Sequence, residues 1–265
     1  MAVNDILFPV VSLGGLGVTF GVLLGYASTK FAVEVDERVA LVRECLPSAN
    51  CGGCGYAGCD AYAQAVVDGA PANKCTPGGA TVAEKIGQVL GVSVDAAEKT
   101  VAFVNCKGTC STAKDKYKYY GVTDCRQAVI APGGGAKACG FGCLGLGTCV
   151  SVCQFNSIEI KDGIAVINED TCTGCNACVQ ICPKNVIDLV PASKSVRIAC
   201  NSNEKGKTVK DNCSVGCIAC TICAKNCPEG AITMVNDLPV IDFSKCTQCN
   251  VCVTKCPTKT IVDLF

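Results

Sequence analysis

The sequence predicts an α+β chain with one N-terminal transmembrane helix, a small mostly helical domain and two tandem cysteine-rich units. Three observations carry this prediction. An uncharged segment of 24 residues, Ile6 to Thr29, lies near the N-terminus. The 265 residues include 26 cysteines but no His and no Trp. The spacing Cys-x2-Cys-x2-Cys-x3-Cys-Pro occurs three times in the C-terminal half of the chain.

Composition excludes several classes of function. Without His, the chain has no His-based catalytic triad and no His ligand for zinc or haem. The 23 basic residues balance the 23 acidic ones, so no charge excess indicates a nucleic-acid partner. A disulfide scaffold would be shorter and would need a secretion signal, and no basic segment precedes the apolar run. The cysteines therefore indicate thiolate ligands for metal in a reducing compartment.

The uncharged segment is long enough to cross a bilayer as a helix. Gly17, Gly21 and Gly25 fall four apart on one helix face, a pattern that lets a second helix approach closely. Lys30 follows the span and no basic residue precedes it, which places the remainder in the cytoplasm. We therefore expect residues 1–33 to be a single-pass anchor in the cell membrane, with the cysteine-rich part on the cytoplasmic side.

A mostly helical domain with one 4Fe-4S cluster is expected at residues 34–100. A charged helix is expected from Val33 to Arg43, and a short helix from Asp60 to Val67. Between and after them lie four cysteines separated by glycines, which let the backbone wrap tightly and point N–H groups at cluster sulfurs. The predicted ligands are Cys51, Cys54, Cys59 and Cys75.

The repeated cysteine run is typical of bacterial ferredoxins. Three cysteines of each run hold one 4Fe-4S cluster and the fourth ligates the neighbouring cluster, so the runs must occur in pairs. A fourth, altered run has wider spacings and Gln154 in place of proline. In chain order the runs are Cys139, Cys143, Cys149 and Cys153; Cys172, Cys175, Cys178 and Cys182; Cys217, Cys220, Cys223 and Cys227; and Cys246, Cys249, Cys252 and Cys256.

Pairing the runs predicts two ferredoxin-like units, residues 139–195 and 196–265. Alternating apolar residues predict a β-hairpin in each unit, at residues 157–167 and 231–241. Exchange of the fourth cysteines predicts four ligand sets: Cys139, Cys143, Cys149 and Cys182; Cys153, Cys172, Cys175 and Cys178; Cys217, Cys220, Cys223 and Cys256; and Cys227, Cys246, Cys249 and Cys252. Zinc ribbons are a poor alternative, because they use two separated Cys-x2-Cys pairs per site.

Six cysteines lie outside these sets, and residues 101–138 are interpreted as a cysteine-containing linking segment. A buried free thiol behaves as a small apolar side chain, so each could be structural. Alternatively, Cys106, Cys110 and Cys125 hold a sixth cluster together with one further cysteine, which would be Cys139, Cys200 or Cys213. Cys45 is interpreted as structural. The sequence thus predicts five 4Fe-4S clusters, or six if this group binds one.

The arrangement resembles the B subunit of Rnf complexes, membrane-bound ferredoxin:NAD oxidoreductases that move sodium ions or protons. The resemblance covers nearly the whole chain and rests on the single anchor, the stretch Ala49 to Cys59 and the tandem units. The stretch Cys139 to Cys149 looks like the clostridial-type version, which has two ferredoxin units. The resemblance implies an iron-sulfur subunit of a translocase that accepts electrons from reduced soluble ferredoxin. It would relay them to partner subunits of the complex.

The sequence agrees with a role confined to electron transfer. It has no glycine-rich dinucleotide motif after a strand, no P-loop and no acid–base pair, so we expect no catalytic residues and no other substrate chemistry on this chain. Soluble ferredoxins are usually acidic, so a local lysine patch is the expected docking site. Two candidates are Lys114, Lys116 and Lys118 beside Tyr117, Tyr119 and Tyr120, and the group Lys205, Lys207 and Lys210.

Two other functions remain open from sequence. A stand-alone, membrane-tethered polyferredoxin would need no partner subunits, and the glycine face of the anchor would then be incidental. The motif Cys51 to Cys75 is also similar to one in corrinoid iron-sulfur proteins, which would indicate a methyl-transfer partner. That hypothesis ranks last, since no cobalamin-binding domain is evident.

Overall fold

The computed structural model describes residues 3–31, 36–95 and 98–264. Helix α1 spans Val3–Lys30. Within the described residues it is the one helix long and apolar enough to cross a membrane, over Val10–Lys30, with a mean hydropathy of 1.8 and no burial in that window. The predicted boundary at residues 33 and 34, and the start of the charged helix at Val33, lie outside the described residues.

Three helices form a small domain after the anchor: α2 (Glu37–Cys45), α3 (Cys59–Val67) and α4 (Gly79–Leu90). The predicted short helix is α3, and α2 is the described part of the predicted charged helix. Asp36 caps α2 by accepting a hydrogen bond from Arg38 N at 2.9 Å. The apolar faces of the three helices share one core, built from Val42, Leu46, Tyr62, Ala63, Val66 and Ile86.

The remaining chain repeats one pattern twice, strand–helix–strand–strand–helix–strand. The first copy consists of β1 (Thr100–Val104), α6 (Thr148–Ser151), β2 (Ile158–Lys161), β3 (Ile164–Ile167), α7 (Ala177–Ile181) and β4 (Ile187–Pro191), with α5 (Cys125–Ile130) inserted after β1. The second consists of β5 (Val196–Ile198), α9 (Ile222–Lys225), β6 (Ile232–Val235), β7 (Leu238–Ile241), α10 (Val251–Lys255) and β8 (Ile261–Asp263), with α8 (Gly206–Asn212) inserted after β5.

Each copy contains two antiparallel strand pairs. The inner pair is a hairpin, β2–β3 in the first copy and β6–β7 in the second, at the two positions that the apolar alternation predicts. The outer pair joins the first and last strands, β1 with β4 and β5 with β8. Each short core therefore lies between a hairpin and an outer strand pair, and cysteines line it.

Strand β1 begins at Thr100, at the end of the predicted 4Fe-4S domain, and continues into residues 101–138, which the sequence predicts to be a linking segment. It pairs with β4 along its full length, from Thr100 opposite Pro191 to Val104 opposite Ile187. The residue pattern of so short a strand is not sufficient to predict it. Because its pairing partner, β4, is distant in sequence, local periodicity does not predict the pairing either.

The insertions of the two copies contact each other. Lys114 N donates to Asn212 O at 2.9 Å, and Ser214 N donates to Thr112 O at 2.9 Å. A single β-bridge joins Ala113 to Cys213 between them. The two repeats are thus connected by backbone hydrogen bonds as well as by the chain.

A buried arginine forms a second connection between the repeats. The Arg197 side chain, on β5, is 1% exposed and makes a bidentate ion pair with Glu169, with Nη2 to Oε2 at 3.0 Å. Its guanidinium lies 5.2 Å from the centre of the Phe103 ring on β1. Both partners belong to the first copy, so Arg197 fixes β5 against it.

Candidate metal centres

Each cysteine run folds as a loop followed by a short helix, and the third cysteine is the second residue of that helix. This holds for Cys149 in α6, Cys178 in α7, Cys223 in α9 and Cys252 in α10. The residue before each helix has a positive φ, at Gly147, Asn176, Thr221 and Asn250. Gly and Asn tolerate this conformation best, which explains why they occur at three of the four positions.

The N-terminal set consists of the four cysteines predicted there. The Cys75 thiol is buried, which raises its pKa, and the thiols of Cys59, Cys51 and Cys54 lie close enough to raise it further. Asn50 positions the loop, because its side-chain oxygen accepts a hydrogen bond from Cys59 N at 2.8 Å. These four thiols therefore lie near one another beside α3.

The Cys178 set, which comprises Cys153, Cys172, Cys175 and Cys178, also comes together. Burial raises the pKa of the Cys178 thiol to about 12, and Cys172, Cys175 and Cys153 contribute in the same direction. Backbone amides point at the sulfurs of this set. Ala102 N donates to Cys172 Sγ at 3.4 Å, and Ser157 N donates to Cys153 Sγ at 3.4 Å.

Around Cys149, the neighbouring thiols include Cys125, which is not a member of the predicted ligand set. Burial raises the pKa of the Cys149 thiol to about 12, and the neighbouring thiols that raise it further are Cys143, Cys125, Cys178 and Cys182. Cys125 is positioned by its amide, which donates to the Thr148 hydroxyl at 2.6 Å. The Cys149 set is therefore Cys125, Cys143, Cys149 and Cys182. The predicted member Cys139 lines a separate cavity.

In the second copy, the cysteines of each predicted ligand set lie near one another. Burial raises the pKa of Cys223, and the surrounding thiols of Cys217, Cys220 and Cys256 act in the same direction. This is the Cys223 set. The Cys252 set lines a cavity enclosed by the α10 run and consists of Cys227, Cys246, Cys249 and Cys252.

A further cavity, between the two insertions, is lined by four cysteines that no single run supplies. This bridging set consists of Cys106, Cys139, Cys200 and Cys213. Cys200 Sγ accepts hydrogen bonds from Cys217 N at 3.3 Å and Ser202 N at 3.5 Å. Gly108 lines the same cavity, and a Cβ there would lie 3.5 Å from Cys213 Sγ and 3.6 Å from Cys106 Sγ.

Two cysteines remain outside the sets. Cys45 Sγ donates to Leu41 O at 3.3 Å within α2, as an ordinary helical thiol does. Cys110 is exposed and lies at the β2–β3 turn, where its amide donates to Asp162 O at 2.9 Å. The three cysteines grouped from sequence as sixth-cluster ligands, Cys106, Cys110 and Cys125, are thus distributed over three different places.

The sets fit 4Fe-4S clusters by their chemistry. Each offers four thiols, the ligand type that such clusters use, and the chain has no His. Amide N–H groups are directed at many of the sulfurs, as in proteins that hold such clusters and tune their potentials. All four members of the bridging set are among the cysteines that the sequence offers for a sixth cluster, but this combination could not be predicted, because they come from four separate segments with no common spacing pattern.

The N-terminal set lies next to the Cys178 set, and the Cys178 set lies next to the Cys149 set. Gly53 in the N-terminal loop lies so close to Cys175 that a Cβ would be 3.0 Å from the Cys175 Cα and carbonyl oxygen. The thiol of Cys51 is close enough to affect the pKa of Cys175. Within the first copy, the Cys149 thiol lies near Cys178.

The bridging set continues this series into the second copy. On one side Cys143 N donates to Cys106 Sγ at 3.4 Å, and on the other Cys217 N donates to Cys200 Sγ at 3.3 Å. The Cys223 and Cys252 sets then share the two crossed runs of the second copy. The order in space is therefore N-terminal, Cys178, Cys149, bridging, Cys223 and Cys252.

The two predicted lysine patches lie one in each insertion, and the insertions contact each other through Lys114 and Asn212. Lys114, Lys116 and Lys118 are exposed, although Lys116 Nζ also donates to Gly133 O at 2.9 Å. In the second patch Lys207 and Lys210 are exposed, and Lys205 Nζ forms an exposed ion pair with Asp237 at 3.2 Å.

Three family models match the chain. The Fe-S cluster family matches residues 46–77, the 4Fe-4S binding domain matches residues 165–188, and the 4Fe-4S dicluster domain matches residues 216–260. These segments contain the N-terminal set, the whole run at Cys172, and the two runs of the second copy.

Relatives that match nearly the whole chain come from three ion-translocating complexes. The chain is 46% identical over 260 residues to the B subunit of the Na⁺-translocating ferredoxin:NAD⁺ oxidoreductase complex of Acetobacterium woodii, covering 97% of this chain and 78% of the relative. It is 45% identical to the B subunit of the ion-translocating oxidoreductase complex of Methanosarcina acetivorans, covering 94% and 95%. It is 44% identical to the B subunit of the proton-translocating ferredoxin:NAD⁺ oxidoreductase complex of Clostridium ljungdahlii, covering 92% and 86%. The chain therefore belongs to the family of B subunits of Rnf-type complexes.

Proposed function

We propose that this chain is the iron-sulfur subunit that accepts electrons from reduced soluble ferredoxin in a membrane-bound, ion-translocating ferredoxin:NAD oxidoreductase. It passes them one at a time along its clusters to partner subunits. The observation that carries this proposal is the continuous series of six four-cysteine sets, each in contact with the next. The names of the three relatives, all complex subunits, favour this function over a stand-alone polyferredoxin.

The proposed cofactors are six 4Fe-4S clusters. Five use the predicted cysteines, except that Cys125 replaces Cys139 in the Cys149 set. The sixth uses the bridging set, so Cys139, Cys106, Cys200 and Cys213 ligate one cluster. When bound, the clusters supply one-electron carriers, and the chain supplies the thiolates, the amide hydrogen bonds and the spacing between carriers.

The repeated strand order supports two tandem ferredoxin-like units with revised limits. The first extends from β1 to β4, since those strands pair, and the second from β5 to β8. On this proposal the residues between β1 and α6 are an insertion of the first unit, where Cys106 and Cys139 reach the bridging set.

Helix α1 is proposed to anchor the subunit in the cytoplasmic membrane with all clusters on the cytoplasmic side. Its length, its hydropathy and the basic Lys30 at its C-terminal end support this orientation. An exposed face containing Gly17, Gly21 and Gly25 would contact a membrane-embedded partner subunit.

Ferredoxin is proposed to dock at the contact between the insertions, each of which carries one lysine patch. A hydrogen bond from Lys114 N to Asn212 O connects the segments that carry the patches. The bridging set lies beneath this surface, since Val209, Asn212 and Cys213 also line its cavity. A basic surface steers an acidic donor toward the nearest cluster.

The cluster number is tested by measuring iron, acid-labile sulfide and zinc per full-length chain after anaerobic purification. Six clusters predict about 24 iron atoms, and five predict about 20. Cys213→Ser should lose about four iron atoms, whereas Cys110→Ser, which removes an exposed cysteine outside the sets, should lose none. A wild-type value near 20 with no loss in Cys213→Ser contradicts the bridging cluster, and zinc in place of iron contradicts the whole proposal.

Docking is tested with single charge reversals in exposed lysines on two helices. Lys210→Glu on α8 should slow reduction by ferredoxin several-fold at low salt, and the difference should shrink as salt screens the charges. Lys85→Glu on α4 makes the same charge change away from the patches and should leave the rate unchanged. Equal rates for both variants and the wild type discard this docking surface.

A further inference from the structure

A buried lysine lies between the bridging set and the Cys149 set. Lys137 is 6% exposed, and its ammonium donates hydrogen bonds to Gly108 O at 2.6 Å and Gly163 O at 2.8 Å. Among the residues that the structure describes, no carboxylate forms an ion pair with it. Burying a cation whose hydrogen-bond partners are neutral carbonyl groups costs free energy of folding, which favours a functional role for Lys137.

The position of Lys137 places its charge beside two of the proposed clusters. Lys137 lines the cavity of the bridging set together with Cys106 and Cys139. Its partner Gly163 lies in the β2–β3 turn, two residues before Ala165, whose amide donates to Cys143 Sγ at 3.4 Å. Burial raises the pKa of the Cys143 thiol, and the Lys137 charge acts in the opposite direction.

The other charged residues that line this cavity are less buried than Lys137. Lys107 is exposed, so water screens its charge. Glu204 is partly buried and receives a hydrogen bond from Asn212 Nδ2 at 3.4 Å. Lys137 is the one buried charge in the lining of the cavity, as far as the described residues show.

We propose that Lys137 is a fixed buried charge that raises the reduction potentials of the bridging cluster and of the cluster held by Cys143, so that an electron in the series is held preferentially at its middle. The proposal rests on the proposed function, since it needs clusters at these sets. Reduction adds one negative charge to a cluster, and a cation in a poorly solvated interior stabilises that charge much more than it would in water.

The test compares full-length, anaerobically purified wild type with K137M and K137R. The fraction of each cluster reduced is followed by electron paramagnetic resonance at a series of fixed solution potentials. A Cys213→Ser sample identifies the bridging-cluster signal. At a fixed potential, K137M should lower the ratio of reduced to oxidised bridging cluster about tenfold, because a neutral side chain of similar length has replaced the charge. K137R should restore the ratio toward the wild-type value.

A matched control is Lys116→Met. Lys116 Nζ also donates to a backbone carbonyl, Gly133 O, but the residue is exposed, and its amide donates to Ala136 O beside Lys137. Because solvent screens the Lys116 charge, this variant should leave both potentials unchanged. Unchanged potentials in K137M, or a shift that Lys116→Met reproduces, overturn the inference.

Iron content separates the remaining outcomes. If K137M loses iron, the Lys137 side chain is needed to hold the loops of Gly108 and Gly163 in place, and the inference is wrong. A shift in K137M that K137R fails to reduce assigns the effect to side-chain shape and also overturns it. If the wild type holds only about 20 iron atoms, the bridging cluster of the proposed function fails. The inference then depends on the cluster held by Cys143, where a shift supports it and no shift refutes it.

Discussion

Hydrogen bonds to sulfur give Cys256 and Cys252 different pKa values. Burial alone would raise the pKa of the Cys256 thiol, but the amides of Ile261 and Thr260 and the Thr258 hydroxyl outweigh it, so the pKa is lowered. In contrast, burial dominates at Cys252 and raises its pKa to about 11. Groups that stabilise a thiolate also stabilise the extra negative charge of a reduced cluster.

Thr258→Val should therefore lower the potential of the cluster that Cys256 ligates. The hydroxyl lies 3.8 Å from Cys256 Sγ, and its loss should cost the reduced state about 1 kcal/mol, or roughly 40 mV for one electron. A redox titration followed by electron paramagnetic resonance measures this shift. Thr254→Val removes a hydroxyl that donates to Val251 O at 3.0 Å on the surface of α10, and should leave the potential unchanged.

The acid–base chemistry of Cys256 is a separate expectation at this scale. In the cluster-free protein, its lowered pKa means that Cys256 becomes a thiolate at lower pH than Cys252. Alkylation with a thiol reagent over a pH series, read by peptide mass spectrometry, should therefore modify Cys256 first as pH rises. Simultaneous modification of the two cysteines would contradict the pKa difference.

Arg197→Met should destabilise the protein by about 2–3 kcal/mol, because Glu169 loses its bidentate partner and the packing against Phe103 is lost. Bleaching of cluster absorbance in increasing denaturant, under anaerobic conditions, measures the loss. Arg126→Met removes an exposed arginine from its pair with Asp124 and should change the midpoint little. Equal midpoints for the two variants would show that Arg197 does not hold the repeats together.

At the scale of elements, the β2–β3 turn is packed directly against the loop that follows Cys143. A Cβ at Gly145, whose φ is 71°, would lie 2.3 Å from the carbonyl oxygen of Gly163. Neither backbone can move freely, because Lys137 holds the same carbonyl. The glycine is required here both by its conformation and by the close approach.

Gly145→Ala should therefore displace the loop of the altered run and remove about four iron atoms per chain. Gly230→Ala is the matched control, since Gly230 has a φ of 58° but no atom within 4 Å of the place that an added methyl group would occupy. It should cost about 1 kcal/mol of stability through backbone strain and leave iron content unchanged. Full iron content in Gly145→Ala would mean that the hairpin can shift without disturbing the Cys149 set.

The loops and cysteine positions of the three regular runs could be predicted from sequence. The spacing between the cysteines of such a run determines both the loop and the short helix that follows it, and so where each sulfur lies. The hairpins followed from apolar alternation, as at residues 231–241. Two features could not be predicted. Strand β1 needs a partner far along the chain, and Cys125 lies near Cys149 through the hydrogen bond that its backbone amide donates to the Thr148 hydroxyl, which no local pattern encodes.

At the scale of the whole molecule, helix α1 has an unfilled glycine face. In the part of the chain that the structure describes, no atom beyond the helix's own backbone and the adjacent residues lies within 4 Å of a Cβ placed at Gly17, Gly21 or Gly25. Gly21→Leu should reduce co-purification with membrane-embedded partner subunits several-fold in mild detergent, because a large side chain prevents close helix contact. Leu23→Phe, an enlargement on another face, should not. Iron content should be unchanged in both variants, which separates assembly from cluster loading.

The crossed ligand sets have a consequence for synthesis on the ribosome. The N-terminal set is complete once Cys75 has emerged, but the Cys149 set waits for Cys182 and the bridging set waits for Cys213. In the second copy, the Cys223 set begins with Cys217 and is completed only by Cys256. A nascent chain therefore carries uncommitted thiols of this set until Cys256 has been synthesised. Cluster insertion at this set must follow the synthesis of Cys256, and a chain truncated before Cys256 would lack a complete Cys223 set.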